Sequence, residues 1–334
     1  MKRSALSIGV RVGLQQRGAA APRRRREVLT RTAGLVGTLM VVLSACTGSG
    51  QDVATASPTT AASPSASAPG TLQTACAKIP DIQPSQFPAV PSVTNPYLPY
   101  VPGTRSVLSG TVASGGHHHP HLIVTTVTDL TKMIDGVRTV VVYEQDLQLG
   151  VVQESELLFV AQDVTGSVWH IGEYPEVYEN GHPGAPEAWL SGVAGAEAGI
   201  DMPPEPFVGE VLMQGYSPKN FYDCTRVEGI HRHRCVPLGC YGDVVLTNEW
   251  SPIAPSGGHQ LKFSAAGFGT ILALPLHEPH PEIVHLAEVT CLSSGALAAI
   301  DEAALAEDQR AYHVAKSVYS GSPPALQTPG IQTC

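Results

Sequence analysis

The chain has 334 residues, 15% of them charged, and a formal net charge of −9 at neutral pH. Nine of the 20 basic residues and one of the 29 acidic ones precede residue 46, so the remainder carries 11 basic and 28 acidic residues, a net charge of −17. Such a balance excludes nucleic acid and anionic headgroups as electrostatic partners and favours cations, although acidity also serves plain solubility.

Residues 1–45 read as an export signal: a basic stretch ending in Arg23–Arg26, an apolar run from Ala33 to Leu43, then small residues before a cysteine. Roughly a dozen apolar residues fall short of the ~20 needed to span a bilayer, so the run is a removable signal and not a lasting anchor. Leu43-Ser44-Ala45-Cys46 resembles the lipobox of bacterial lipoproteins, which implies cleavage before Cys46 and acylation of its thiol. Two acyl chains suffice for stable anchoring, so the expected location is the extracytoplasmic face of the cell membrane, with the lipid bilayer as partner through Cys46. Arg25-Arg26-Glu27-Val28-Leu29-Thr30 also resembles a twin-arginine signal, and the general export route stays open beside it. Residues 46–70 are mostly Ser, Thr, Ala and Pro, with one acid at Asp52 and little to bury, which predicts a disordered stalk.

Beyond the stalk, residues 71–334 read as one β-rich domain. Segments rich in Val, Ile, Thr and aromatics predict strands near 104–112, 121–131, 137–147, 151–161, 166–172, 207–216, 241–250, 259–264, 268–275 and 282–292. Asp135-Gly136 is a hairpin signal, Asn180-Gly181 a second turn, and Gly115-Gly116 and Ser256–Gly258 mark loops. Five prolines between Pro183 and Pro206 predict a long ordered loop over 181–206. Leu297, Ile300, Ala304, Ala311, Ala315 and Val318 recur at helical spacing and predict a helix near 296–318. The expected fold is therefore mainly β, an antiparallel sandwich or curved partial barrel with one C-terminal helix.

Once Cys46 is set aside, Cys76, Cys224, Cys235, Cys240, Cys291 and Cys334 remain, an even number suited to three disulfides in an oxidising compartment. Sequence alone cannot choose among their connectivities; pairing Cys76 with Cys334 would join the two ends of the domain. Zinc ligation competes, but Cys224, Cys235 and Cys240 lack the close paired spacing of zinc ribbons.

Several stretches resemble a family of secreted, functionally uncharacterised proteins widespread in actinobacteria. They are Asn95-Pro96-Tyr97 with Pro102–Arg105, Gly166–Trp169 through Tyr178–Gly181, Trp189 with Gly192-Val193, Gly199–Pro203, Ala266–Gly269, and Ala311–His313 with Val318-Tyr319. The resemblance implies no activity, and the histidine clusters and extra cysteines depart from the family's usual pattern.

Candidate sites follow from the thirteen histidines and the aromatics. His117, His118, His119 and His121, placed after a Gly-Gly turn, can gather copper or zinc, or can simply be a solvated loop. His277, Glu278, His280, Glu282 and His285 look like a metallopeptidase motif only superficially, because Pro279 and Pro281 forbid the helix it needs. His231 and His233 read as a polar hairpin tip. Trp169, Tyr174, Tyr178 and Trp189 either line a ligand groove or fill a core. No nucleophile elbow, phosphate loop or Ser-x-x-Lys pair is present. The leading expectation is a monomeric, non-enzymatic surface lipoprotein, without cofactor, that binds an unidentified ligand or envelope protein. Divalent-metal binding is the alternative, and an extracytoplasmic hydrolase the second alternative.

Overall fold

A computed structural model describes residues 76–78, 81–179, 182–184 and 187–334. The signal peptide, Cys46, the stalk and the Asn180-Gly181 turn lie outside these residues. Strands β1 (Thr104–Ser114), β2 (His117–Ile134), β3 (Val137–Gln148), β4 (Val151–Gln162) and β5 (Val168–Glu179) form a meander. Short strands β6 (His182–Pro183) and β7 (Trp189–Leu190) pair with β5. The chain continues through β8 (Glu197–Met202), β9 (Val211–Ser217), β10 (Phe221–Val236), β11 (Gly239–Trp250), β12 (His259–Ala265), β13 (Gly269–Leu276) and β14 (Glu282–Cys291). Helices α1 (Ser294–Val314) and α2 (Lys316–Tyr319) and strand β15 (Leu326–Gln327) end it.

The meander's turns are set by sequence. Asp135-Gly136, Gly115-Gly116 and Leu149-Gly150 all have two residues at positive φ, the geometry of type I′ hairpins, whose twist matches that of the flanking strands. Strand order runs β1-β14-β13-β12-β11-β10-β9-β8-β5-β4-β3-β2, and β2 pairs again with β1, so twelve strands close into an antiparallel barrel. This is more specific than the sandwich or partial barrel expected, and closure removes the exposed edges either of those would carry. Gly110 sits at the seam, opposite Val284 on β14 and His121 on β2. A Cβ at Gly110 would lie 1.8 Å from the Ile283 carbonyl oxygen, so only glycine allows β1 and β14 to approach this closely.

The ten predicted strands all occur, but besides the two-residue strands β6, β7 and β15 two longer ones interrupt regions read otherwise. Glu197–Met202 is a strand inside the proline-rich stretch, and Phe221–Val236 pairs on both sides where only a polar tip was read. The helix starts at Ser294, where the Ser293 hydroxyl accepts a hydrogen bond from the Ala296 N–H, and breaks at Ala315 before α2. Its inner face buries Leu297, Ala304 and Ala311, and the two alanines pack onto the outer surface of β2–β5 with Leu157, Phe159, Ile171 and Tyr319.

That face also buries three acids, and each is met by a partner. Lys132 Nζ lies 2.9 Å from Asp308 Oδ1 and also donates to Tyr312 Oη and the Pro323 carbonyl. The Ser155 hydroxyl donates to Glu307, and Asp301 pairs with Asp129, which together with burial pushes the Asp301 carboxyl up to about 7.

All six domain cysteines are paired, as Cys76–Cys224, Cys235–Cys240 and Cys291–Cys334. The Cys76–Cys334 pairing is thus corrected. Cys76 lies against β10, its sulfur 3.4 Å from the Asp223 carbonyl oxygen, whereas Cys334 is held at the start of β1 by its N–H bond to the Pro102 carbonyl. The chain ends dock on different strands, so each is tied to its own strand and not to the other end.

Candidate functional site

The histidine cluster is not a loop. Gly115-Gly116 turns the chain so tightly that His117 already opposes Ser114, and His117 through His121 open β2. Strand alternation puts His117, His119 and His121 on one face, passing from exposed at the rim to buried. Val112 opposes His119 on one side and Glu282 on the other, so β1 carries the second cluster to within one strand of the first. His121 Nε2 is 3.0 Å from Glu282 Oε2, and Nδ1 is 3.2 Å from Asp146 Oδ1. Burial alone lowers the His121 pKa, but the hydrogen bond to Glu282 and the charges of Asp146 and Glu282 outweigh it and raise it. Glu278, in the turn above, is pushed up to about 8 by burial and by the charge of Glu282. His285 faces outward opposite Leu272, and His280 is exposed. Among the described residues, neither histidine cluster brings three ligand atoms within 4.8 Å of one another.

Deeper in the barrel the inner face is acidic. Glu144 and Asp146 on β3 oppose Glu156 and Glu154 on β4. Asp223 and Glu249 come from β10 and β11 and are buried, and Asp201 of β8 is nearly so. The Tyr100 hydroxyl lies among them: burial, and then the charges of Asp201, Glu144, Glu249 and Glu156 from four strands, raise its pKa well above normal. Thr125 donates to Glu144 at 2.7 Å. Lys262 answers the acids from β12, its Nζ 2.6 Å from Glu249 Oε2, and Gln214 reaches Glu249 at 3.5 Å. Burial holds Asp201 and Asp223 well above the ordinary carboxylate range, with the neighbouring charge of Glu249 adding to it, and pulls His170 down to about 4.

One end of this interior is closed by a strap. Val93, Leu98 and Tyr100 pack on Val127, Val140, Val142, Leu158 and Val160. Asn95 pins the strap, donating to the Gly166 and Pro203 carbonyls and accepting from the Tyr97 and Leu98 N–H groups. The histidine-bearing turns rim the opposite end.

The four aromatics do not form a groove. Trp169, Tyr174 and Tyr178 lie on the outer face: Trp169 donates to Asp163 and meets Phe87, Tyr174 meets Tyr319, and Tyr178 bonds Glu176. Trp189 alone turns inward, stacking on Phe221 beside His170. The acidic interior was missed in the sequence. Its signal is an acid at every second position of otherwise apolar strands, Glu144-x-Asp146 and Glu154-x-Glu156, a pattern that in a half-exposed strand equally marks a solvated face. The shortest serine–carboxylate contact among the described residues, Ser155 Oγ to Glu307 Oε2 at 2.5 Å, is sealed beneath α1.

No protein-family model and no curated protein matches the chain. Two solved structures are similar to it. One, from Bacteroides fragilis, is provisionally described as an exported protein with a YmcC-like fold; it is 10% identical, with a TM-score of 0.34. The other, from Parabacteroides distasonis, is provisionally described as a lipoprotein; it is 14% identical, with a TM-score of 0.26. Each match spans 59% of this chain and 99% of the other. Both come from Bacteroidetes, so the resemblance to an actinobacterial family finds no counterpart in these comparisons, and no residue role is carried over from either structure.

Proposed function

We propose that the chain is an exported lipoprotein, anchored through acylated Cys46, whose barrel receives a compact cationic ligand in its acidic interior without turning it over. The observation that carries this reading is the convergence of carboxyl groups on the inner face, Glu144, Asp146, Glu154, Glu156, Glu249 and Glu282 with Asp201 and Asp223 beside them, where the described residues also place Lys262 and two histidines. In a medium of low effective dielectric, carboxylates so placed draw positive charge. Export is supported by three disulfides, which persist in oxidising compartments.

Native mass spectrometry of protein extracted from the producing cell, followed by calorimetry with divalent metals and with polyamines, tests the reading. One cation bound per chain, weakened by salt and lost in the pair Asp223→Asn and Glu249→Gln, is the expected result. A bare mass together with no heat from either panel at millimolar concentration overturns it.

A further inference from the structure

The Cys235–Cys240 disulfide differs from the other two in what it holds. Those span 148 and 43 residues and fasten distant chain segments to the barrel, whereas this one spans five residues at the end of the β10–β11 hairpin. The register there is already set by backbone pairing of Cys235 with Cys240 and of Val236 with Gly239, closed by the Pro237-Leu238 turn. The fold therefore does not need the bond.

Its surroundings are also distinct. His233, Cys235 and Cys240 are all exposed, and their ligand atoms lie within 4.8 Å of one another. The run His231-Arg232-His233-Arg234 precedes the first cysteine, and no acid occurs between His231 and Gly242. Asp243, the nearest carboxylate in sequence beyond the run, is engaged by His231 at 2.6 Å and by the Tyr97 hydroxyl at 3.0 Å. Arg234 is braced over the Phe263 ring at 4.0 Å, which holds this end of the hairpin against β12. On a chain whose exported part is strongly acidic, this is a cationic tip that draws an anionic thiolate toward an exposed disulfide.

We infer that the hairpin tip is a redox-gated site for a thiophilic metal ion, closed as the disulfide and opened by an external dithiol. In the opening step one thiolate of the dithiol attacks a sulfur of the pair, the Cys235–Cys240 bond breaks, and a mixed disulfide forms. The second thiol of the reductant then displaces that cysteine, leaving the dithiol oxidised to its disulfide and the protein with two thiols. Two thiolates and the His233 imidazole then supply three of the four positions of a tetrahedral zinc site, with two protons released and the fourth position left to water or a partner's ligand. Sulfur and imidazole donors select zinc or cuprous copper over calcium and magnesium.

The test uses the full exported chain and zinc alone as probe. Graded dithiol treatment followed by alkylation and peptide mapping should label Cys235 and Cys240 before any other cysteine. Competition against a chromogenic chelator should then show one zinc more on the reduced chain than on the oxidised one. His233→Ala should weaken binding at least tenfold, and the pair Cys235→Ser, Cys240→Ser should abolish it while leaving the circular dichroism spectrum unchanged. Three results overturn the inference: zinc held equally by the serine pair, which would place metal on the His117–His121 face; no additional zinc on the reduced chain; or labelling of all six cysteines together.

Discussion

His121 on β2 and Glu282 on β14, separated by the whole of the barrel's chain path, meet at 3.0 Å across β1. Because the His121 pKa is raised in the fold above its usual 6.5, the charged imidazolium contributes stability that is fully present below about pH 6.5. That contribution is lost as pH rises through the raised folded value. Glu307, pushed up to about 8 chiefly by burial, acts in the same direction, since its neutral form is the folded one. His170, drawn down to about 4, acts oppositely between about 6.5 and 4. Subtracting a single variant isolates one group: the stability gap between wild type and His121→Gln, from urea unfolding, should shrink between pH 6 and pH 8.5. A gap constant over that window would show that the fold does not raise the His121 pKa.

The three disulfides should rank by loop length. In the chain-entropy treatment the loss of Cys76–Cys224 costs about 5 kcal/mol, that of Cys291–Cys334 about 4, and that of Cys235–Cys240 about 2. Paired serine substitutions followed by thermal unfolding measure the order. A Cys235/Cys240 variant less stable than the Cys76/Cys224 variant would contradict the assignment of the short bond as dispensable.

Lys132 and Asp308 are both wholly buried under α1, so the pair stands or falls together. Lys132→Ala strands the carboxylate that also caps the Ala325 N–H and should cost about 3–5 kcal/mol. Lys132→Met combined with Asp308→Leu should recover most of that loss, since an apolar pair of similar volume needs no desolvation. Chemical denaturation of the four proteins of the cycle decides it, and additive losses would refute coupling.

Barrel closure should hinge on Gly110. A methyl group there collides with the Ile283 carbonyl, backbone that has nowhere to go, so Gly110→Ala should lower stability by about 3 kcal/mol or more and expose the β1–β14 seam. Hydrogen exchange checks this directly: amides of β1 and β14 should lose protection before those of β3 and β4. Uniform protection across the barrel would mean that the seam tolerates the side chain.

The anchor is tested at Cys46. Cys46→Ala should abolish palmitate incorporation, signal cleavage and membrane retention together, because the acidic exported part offers no basic helix to hold anionic lipid. An unlabelled wild-type protein found wholly in the growth medium would refute acylation.

Local periodicity by itself determined where the chain is strand and where it is helix. Alternation marked ten strands, glycine pairs marked their turns, and the spacing from Leu297 to Ala311 marked α1, since these patterns arise within a few residues of backbone. It failed where local composition misled: the prolines around β8, and the charged run of β10 that looks like a tip. Only tertiary structure decided which face of each strand turned inward, since alternation is symmetric between faces until the sheet curves. Closure turned Glu144, Asp146, Glu154 and Glu156 into the interior, and carried Glu282 to His121. It also set the disulfide partners, because cysteines pair by the strands they end on and not by their place in the chain.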